Sequence, residues 1–439
     1  MRPHGETGRP PRAGGAIGAA TALLAVLASP AAAAGDVGAT APSPRAVAQA
    51  GAATARASDA SVVLYNPAAM AGLDGLELLA AAGFDSPKST VTLGLGVTAV
   101  HLQAAAHPAL VAFAWHSRRR PWLGVGLGFE RSVLYREVRA NISFPTSGIE
   151  TGFEVTAWQL RPAVAVALGR RWSVGAGLRY LNGRVRDRYS VLLDSGRNPN
   201  TFFVVGLLSA ATPVDGWSGD VSLSFRDATW GVGLVARSGA KLEGRAGFDL
   251  TIRGDTSRAS RTADSIAYVL EQAPRETRFD LPPELRAGAW LSPLPRLRIE
   301  TDVAFTRWSA AGWRRPREVP LCGASCRRWL PRDWRDTASV RAGVEVDITR
   351  WLQMRGGMAI EPSPSRAGRQ VTGLLATYFP QGVPPTKGRV YGVGGSWNAA
   401  AFSFDVGYHL RRHEPVESFG DVYRTRSHVL ALALRWRWR

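Results

Sequence analysis

The stretch HVLALALRWRWR, residues 428–439, sets Leu430, Leu432, Leu434, Trp436 and Trp438 on one face of an extended chain. Ala431, Ala433, Arg435 and Arg437 fall on the other face, because side chains in a strand alternate with a period of two. A sheet that met water would not line up two tryptophans with three leucines and alternate them with arginines. A strand whose outer face meets hydrocarbon, with indoles at the interface and charge turned to a lumen, has this pattern.

The pattern recurs upstream. In WLGVGLGFE, residues 122–130, Leu123, Val125, Leu127 and Phe129 oppose Gly124, Gly126 and Gly128. In LRIETDVAF, residues 297–305, Leu297, Ile299, Val303 and Phe305 oppose Arg298, Glu300, Asp302 and Ala304. In AFSFDVGYHL, residues 401–410, the aromatic face opposes Ser403, Asp405, Gly407 and His409. A charge on a lipid-facing position near the midplane costs about 2–4 kcal/mol, so the polar faces belong to an interior.

Strands are expected near 76–84, 109–116, 122–135, 154–168, 172–184, 218–226, 228–250, 284–292, 296–307, 337–347, 350–361, 388–397, 400–411 and 428–438. That is about fourteen, an even number as closure with both ends on one side requires. Tight turns at 169–171, 292–295, 349–350 and 398–400 alternate with long connections near 185–217, 251–283, 308–336 and 362–387. Short turns on one side and long loops on the other are a second mark of a transmembrane barrel. No repeat of fixed period points to a propeller or solenoid.

The bulk properties agree. A chain of 439 residues with 47 glycines, 15 tryptophans and near-zero mean hydropathy fits neither a helical membrane protein nor a disordered one. The long uncharged apolar run starts at Ala13, after Arg2, Arg9 and Arg12, and ends in small residues. It reads as a secretory signal peptide over residues 1–34, cleaved after Ala34. An anchor helix fits less well, because the Leu/Ile/Val core is short and alanine-rich. Cys322 and Cys326 lie close together in LCGASCRRW, and in an oxidising compartment the expected arrangement is a small disulfide-closed loop. A metal site would need further ligands, so no metal and no cofactor are expected. Formal net charge is +19, and of the 54 basic residues only Lys88, Lys241 and Lys387 are lysines. A genomic arginine bias explains this; binding of anionic lipid head groups is the sharper reading. Dispersed basic residues on an exported chain argue against a nucleic-acid partner.

Residues 35–75 do not alternate. The stretch SDASVVLYNPAAMAGL, residues 58–73, carries an Asn-Pro turn and no strand pattern. A barrel of this size has a lumen wide enough for an open channel, so residues 35–75 are expected inside it as a plug, ahead of a barrel over 76–439.

The stretch ARASDASVVLYNPAAMAGLDGLEL, residues 55–78, resembles the N-terminal hatch of the FadL/TodX (OmpP1) family of outer-membrane hydrophobic-compound transporters, with the Asn-Pro-Ala turn at Asn66, Pro67 and Ala68. Similarity continues at 281–309, 352–365 and 388–408. One departure is the ending Trp438-Arg439, where barrel proteins often carry an aromatic residue. The resemblance implies a monomeric fourteen-stranded barrel in the outer membrane of a Gram-negative cell, among outer-membrane lipid and lipopolysaccharide, that passively admits long-chain fatty acids or another hydrophobic small molecule. It also implies capture by external loops, a hatch or gate at Asn66, Pro67 and Ala68, and sideways release at a third strand. For capture the sequence offers Phe202, Phe203, Val204, Leu207 and Leu208 in one loop and Ile266, Tyr268 and Leu270 in another. Exposed apolar clusters mark binding surfaces, while mutual packing of the loops is the blander explanation. For the lateral opening it offers the glycine face Gly124, Gly126 and Gly128, with packing against the plug as the equal rival.

The chain is not expected to be an enzyme. His409 and Asp405 share a strand face, as an outer-membrane lipid hydrolase would need, but no matching nucleophile motif accompanies them. The same strand pattern would also suit an aromatic-hydrocarbon channel or a structural barrel that transports nothing.

Overall fold

The computed structural model describes residues 43–438 apart from 57, 93–97, 103–108, 118, 138–140, 144–147, 151, 195–201, 246–247, 254–275, 315–333, 363, 365–386 and 419–420. The signal segment, Ile266, Tyr268, Leu270, Cys322 and Cys326 lie outside these residues. Among the described residues no helix is long and apolar enough to cross a membrane, which says nothing of strands.

Twenty strand segments form one antiparallel sheet. Collinear pieces combine into fourteen staves: β1 Leu76–Thr92; β2 Thr98–Leu102 and Ala109–His116; β3 Leu123–Glu137; β4 Gly152–Leu168; β5 Trp172–Asp194; β6 Phe202–Arg226; and β7 Trp230–Arg237, Ala240–Arg245 and Phe248–Arg253. The second half runs β8 Glu276–Leu281 and Glu284–Leu294; β9 Leu297–Thr306 and Gly312–Arg314; β10 Thr337–Asp347; β11 Leu352–Glu361; β12 Gly388–Ala399; β13 Phe402–His413 and Val416–Ser418; and β14 Asp421–Trp438. Pairing of β1 with β14, from Leu76 opposite Trp438 to Thr92 opposite Val422, closes the ring. Each of the fourteen expected strands corresponds to one stave.

Alternation places the faces as expected. On β14, Leu434 is 63% exposed and Ala431 is fully buried. On β9, Phe305 faces out at 45% exposure while Asp302 is fully buried. Two aromatic tiers mark the interfaces. Trp172, Phe225 and Trp230 make contacts of 4.8 and 4.7 Å between ring centroids near the tight turns. Phe129, Trp158, Tyr180 and Trp217 form a second chain at 6.1, 5.7 and 4.6 Å. From Trp172 to Tyr180 along β5 is about 26 Å, or about 20 Å along the barrel axis at the usual strand tilt, close to the height of the apolar band of such barrels.

The tight turns share one end and are stitched together by backbone hydrogen bonds: Ala167 to Trp122, Arg226 to Arg171, Ser292 to Thr229, Asp347 to Arg296, Asn398 to Trp351 and Arg437 to Ala401. One expectation fails at the other end. Residues 202–213 are not a loop, and Phe202, Phe203, Val204, Leu207 and Leu208 lie in β6. There Leu207 and Leu208 pair with Ser190 and Tyr189 of β5, and β7 pairs on the opposite side through Phe248–Arg253. Val205–Ala210 lie in two ladders and Phe202 and Val204 in one, so the apolar character of the run fits strand propensity. With 23 residues, β5 is about twice as long as a tilted crossing needs, and its outer half stands beyond the apolar band.

The region 43–75 is short helices and turns: α1 Pro44–Ala48, α2 Val62–Tyr65 and a 3-10 turn Pro67–Gly72. Helix α1 packs on β11, β12, β13 and β14, and the 3-10 turn on β2 to β6. Hydrogen bonds, an ion pair and close backbone approach tie the same segment to Glu77 of β1, Gly233 of β7, Gly288 of β8, Asp302 of β9 and Glu345 of β10. A segment that touches every stave on its inward face lies inside the ring.

Candidate functional site: the lumenal segment and its surroundings

Asn66 closes α2 and opens the 3-10 turn, with an extended backbone at φ −153° that the following proline favours. Its side chain is fully buried. The amide Nδ2 donates to the Thr54 carbonyl at 2.7 Å and so ties two parts of the segment together. Its Oδ1 accepts no hydrogen bond among the described residues. Pro67 supplies the fixed φ of the first helical position. Ala68 is held from both sides: its N–H donates to Ser222 Oγ at 2.9 Å, and its carbonyl accepts from Ser173 Oγ at 2.8 Å. The wall glycines leave room for this approach. A Cβ on Gly175 would collide with the Ala68 backbone, and one on Gly407 with the Pro44 carbonyl.

Charges on the wall bind the backbone of the segment. Asp302 accepts from the Ala53 and Thr54 amides at 2.9 and 3.0 Å and from Thr54 Oγ1 at 2.6 Å. Ala60 N–H donates to Glu77 at 2.8 Å. Glu345 receives four guanidinium groups: Arg45 at 3.3 Å and Arg56 at 2.7 Å from the segment, Arg298 at 2.9 Å and Arg355 at 2.8 Å from the wall. Arg355 also reaches Asp405 at 3.4 Å, and Arg435 returns to the Ser58 carbonyl at 3.0 Å. Asp405 is thus engaged by Arg355 and Ser396. Burial pushes the Tyr65 hydroxyl well above its ordinary pKa, with Glu130 and Asp59 adding to it.

The glycine face of β3 is occupied. Val63 and Met70 sit against Gly126, Leu64 against Gly128, and Met70 against Gly124. In this state those three positions seat the segment.

Two features of the site are not evident from the sequence. The first is a layered arrangement on β4 to β9. Toward the long-loop end, Val155, Leu181, Val185, Val214, Leu242, Phe279, Trp308 and Trp334 form a buried apolar cluster, with Trp308 and Trp334 edge to face at 5.3 Å. One step toward the turns, Arg161, Arg179 and Arg237 project inward with Gln159, Asp220 and Glu284. Arg161 binds Asp220 and the Leu64 carbonyl. Arg237 donates to the same carbonyl at 2.9 Å and lies 3.6 Å from Glu284, and Arg179 donates to Gln159. Isolated arginines at alternating positions, as in QLRPAV and GLRYLNGR, were the available signal.

The second is the wall at β1 and β2. Here the inner face is apolar too: Leu79, Ala81, Leu110, Ala112 and Ala114 pack on Val62, Val63 and Leu64, while Val111, Phe113 and Trp115 face out. The run ALVAFAW has the continuous apolar character of a strand buried on both sides. The ladder from β1 joins Leu76–Ala82 to the second piece of β2 and Lys88–Thr92 to the first. The β2 residues opposite Gly83–Pro87 lie outside the described residues.

A family model described as outer membrane protein transport protein (OMPP1/FadL/TodX) matches residues 23–417. A solved Pseudomonas aeruginosa FadL homologue is similar in fold with a TM-score of 0.68 at 12% identity, over 92% of this chain and 100% of that one. The Pseudomonas putida toluene transporter TodX matches with a TM-score of 0.63 at 11% identity, over 90% and 98%. The Ralstonia pickettii toluene transporter TbuX matches with a TM-score of 0.58 at 14% identity, over 90% and 98%. A sequence search of curated proteins found no match.

Proposed function

The chain belongs to the outer membrane protein transport protein family (OMPP1/FadL/TodX) of hydrophobic-compound channels, and from that premise we propose that its cargo is a long-chain fatty acid, taken up without energy input. The observation that carries this reading is the guanidinium layer of Arg161, Arg179 and Arg237 directly beneath the apolar cluster of Leu181, Val214, Leu242 and Phe279. An acyl chain gains about 0.8 kcal/mol per buried methylene, and a carboxylate head gains charge-assisted hydrogen bonds.

In this account the outer half of the β5–β6 hairpin captures the ligand, the apolar cluster desolvates it, and the lumenal segment is the hatch. Arg161 and Arg237 both hold the Leu64 carbonyl at the end of α2. A ligand carboxylate competes for these donors and loosens the turn at Asn66, Pro67 and Ala68. Release runs sideways into the membrane at the wall of β1 and β2, whose two faces are apolar. Movement of Val63, Leu64 and Met70 away from Gly124, Gly126 and Gly128 opens the way there. The channel works as a monomer among lipid and lipopolysaccharide and carries out no chemical reaction.

Equilibrium binding of a labelled long-chain fatty acid and of its uncharged methyl ester to the purified protein tests the reading. The acid is expected to bind about tenfold tighter than the ester, the worth of a hydrogen bond to a charged group, and Arg179→Gln, which removes one of the three guanidinium groups of the layer, narrows the difference. Equal affinity in the unaltered protein contradicts it. The edge-to-face Trp308–Trp334 pair beside Phe279 favours a second reading, an aromatic hydrocarbon; toluene binding tighter than the acid selects that one.

A further inference from the structure

The tight-turn end of the barrel carries an unusual charge pattern. The β2–β3 turn presents Arg119 and Arg120 beside Trp122, the β4–β5 turn Arg170 and Arg171 beside Trp172, the β8–β9 turn Arg296, and the β10–β11 turn Arg350 beside Trp351. All six arginines are exposed. Among the described residues Arg119, Arg120, Arg170, Arg296 and Arg350 have no acidic partner, and Arg171 has only a loose one, Asp227 at 3.5 Å. Other arginines nearby are spent on the fold: Arg226 donates to the Gly72 carbonyl at 2.9 Å and Arg437 to Glu77 at 2.9 Å. The bond from Ala167 N–H to the Trp122 carbonyl joins the first two turns, so Arg119, Arg120, Arg170 and Arg171 form one patch.

The neighbouring indoles give the depth of this patch. Trp172 and Trp230 are exposed on the outward parity of β5 and β7, and Trp122 and Trp351 are exposed in the turns at the same end, where aromatic girdles mark the boundary between hydrocarbon and head groups. An arginine one or two residues toward the turn stands at the level of lipid phosphates. Guanidinium recognises phosphate bidentately, and each basic residue held near an anionic leaflet contributes measurably to the attraction. Short turns of such barrels face the periplasm, so the leaflet at this rim is made of phospholipid.

We propose that the tight-turn rim, centred on Arg119, Arg120, Arg170 and Arg171, is a binding surface for anionic phospholipid head groups of the inner leaflet. It orients the barrel in the membrane and draws phosphatidylglycerol or cardiolipin around the wall of β2 to β5. This inference rests on the barrel and its orientation and is independent of the cargo.

Native mass spectrometry of the delipidated full chain in detergent tests it, with phosphatidylglycerol and phosphatidylcholine of matched acyl chains as probes. The unaltered protein is expected to retain phosphatidylglycerol in preference, and the preference falls as salt is raised because exposed charges are screened. The R119Q/R120Q/R170Q/R171Q variant is expected to lose about tenfold of that preference, and R296Q/R350Q to lose less. Far-ultraviolet circular dichroism and heat-modifiable gel mobility establish that each variant is folded. Should the quadruple variant not fold, R119Q/R120Q alone, on an exposed turn, carries the test with a smaller expected loss. Equal retention of the two lipids by the unaltered protein overturns the proposal, as does a preference that survives in folded variants. Displacement of the bound lipid by millimolar inorganic phosphate, or by polyglutamate standing for an acidic protein partner, also overturns it.

Discussion

Gly175 and Asn66 show how single residues seat the lumenal segment. The inward face of β5 at Gly175 meets the backbone of Ala68 so closely that a Cβ has no room. Gly175→Val is therefore expected to expel the 3-10 turn while leaving the ladders of β5 intact. Cells carrying it should become sensitive to a large antibiotic that the unaltered channel excludes; retained resistance with normal expression contradicts the seating. Asn66→Ala removes the bond to the Thr54 carbonyl at 2.7 Å and is expected to cost about 1–2 kcal/mol of local closure. Hydrogen exchange should speed up over residues 60–72 and stay unchanged in the strands. Exchange that is equally slow in the variant argues that Asp302 and Ser222 suffice to hold the turn.

At the level of elements, the proposed exit depends on β1 and β2 parting. Ala82 of β1 and Ala109 of β2 are directly opposed partners in their ladder. Cysteines at directly opposed antiparallel positions lie within disulfide range. The pair Ala82→Cys and Ala109→Cys is expected to block uptake when oxidised and to restore it on reduction. Uptake that is indifferent to the redox state rules out release at this edge.

The same elements show how much of the fold is legible in the sequence. Strands with one lipid face and one lumenal face, such as β9, β13 and β14, announce themselves by period two, and all fourteen staves were legible. The β5–β6 extension was not, because a run such as FFVVGLL is apolar whether it lines a loop or fills a ladder, and only its pairing with Tyr189 and Ser190 distinguishes the two. The turn at Asn66 was legible as a turn. Its partners were not, since Thr54, Ser173 and Ser222 meet it only through closure of the ring. The arginine layer was hidden for the same reason: Arg161, Arg179 and Arg237 come from three strands and converge only in three dimensions.

For the molecule as a whole, the lumenal segment and the wall are one electrostatic body. Glu345 draws together Arg45 and Arg56 of the segment and Arg298 and Arg355 of the wall. Removing the buried Glu345 carboxylate would leave these four guanidinium groups without their shared partner, at a cost of about 3–5 kcal/mol. The proposed competitor for the segment's contacts is the carboxylate of the cargo at the arginine layer. The most direct measurement is uptake of a labelled long-chain fatty acid and of labelled toluene by cells in which this chain is the sole channel of its kind, with and without Arg179→Gln. The account predicts that the unaltered chain carries the fatty acid and that the substitution slows it while leaving toluene uptake unchanged. Fatty-acid uptake that is untouched by the substitution, or a chain that carries toluene and no fatty acid, contradicts it.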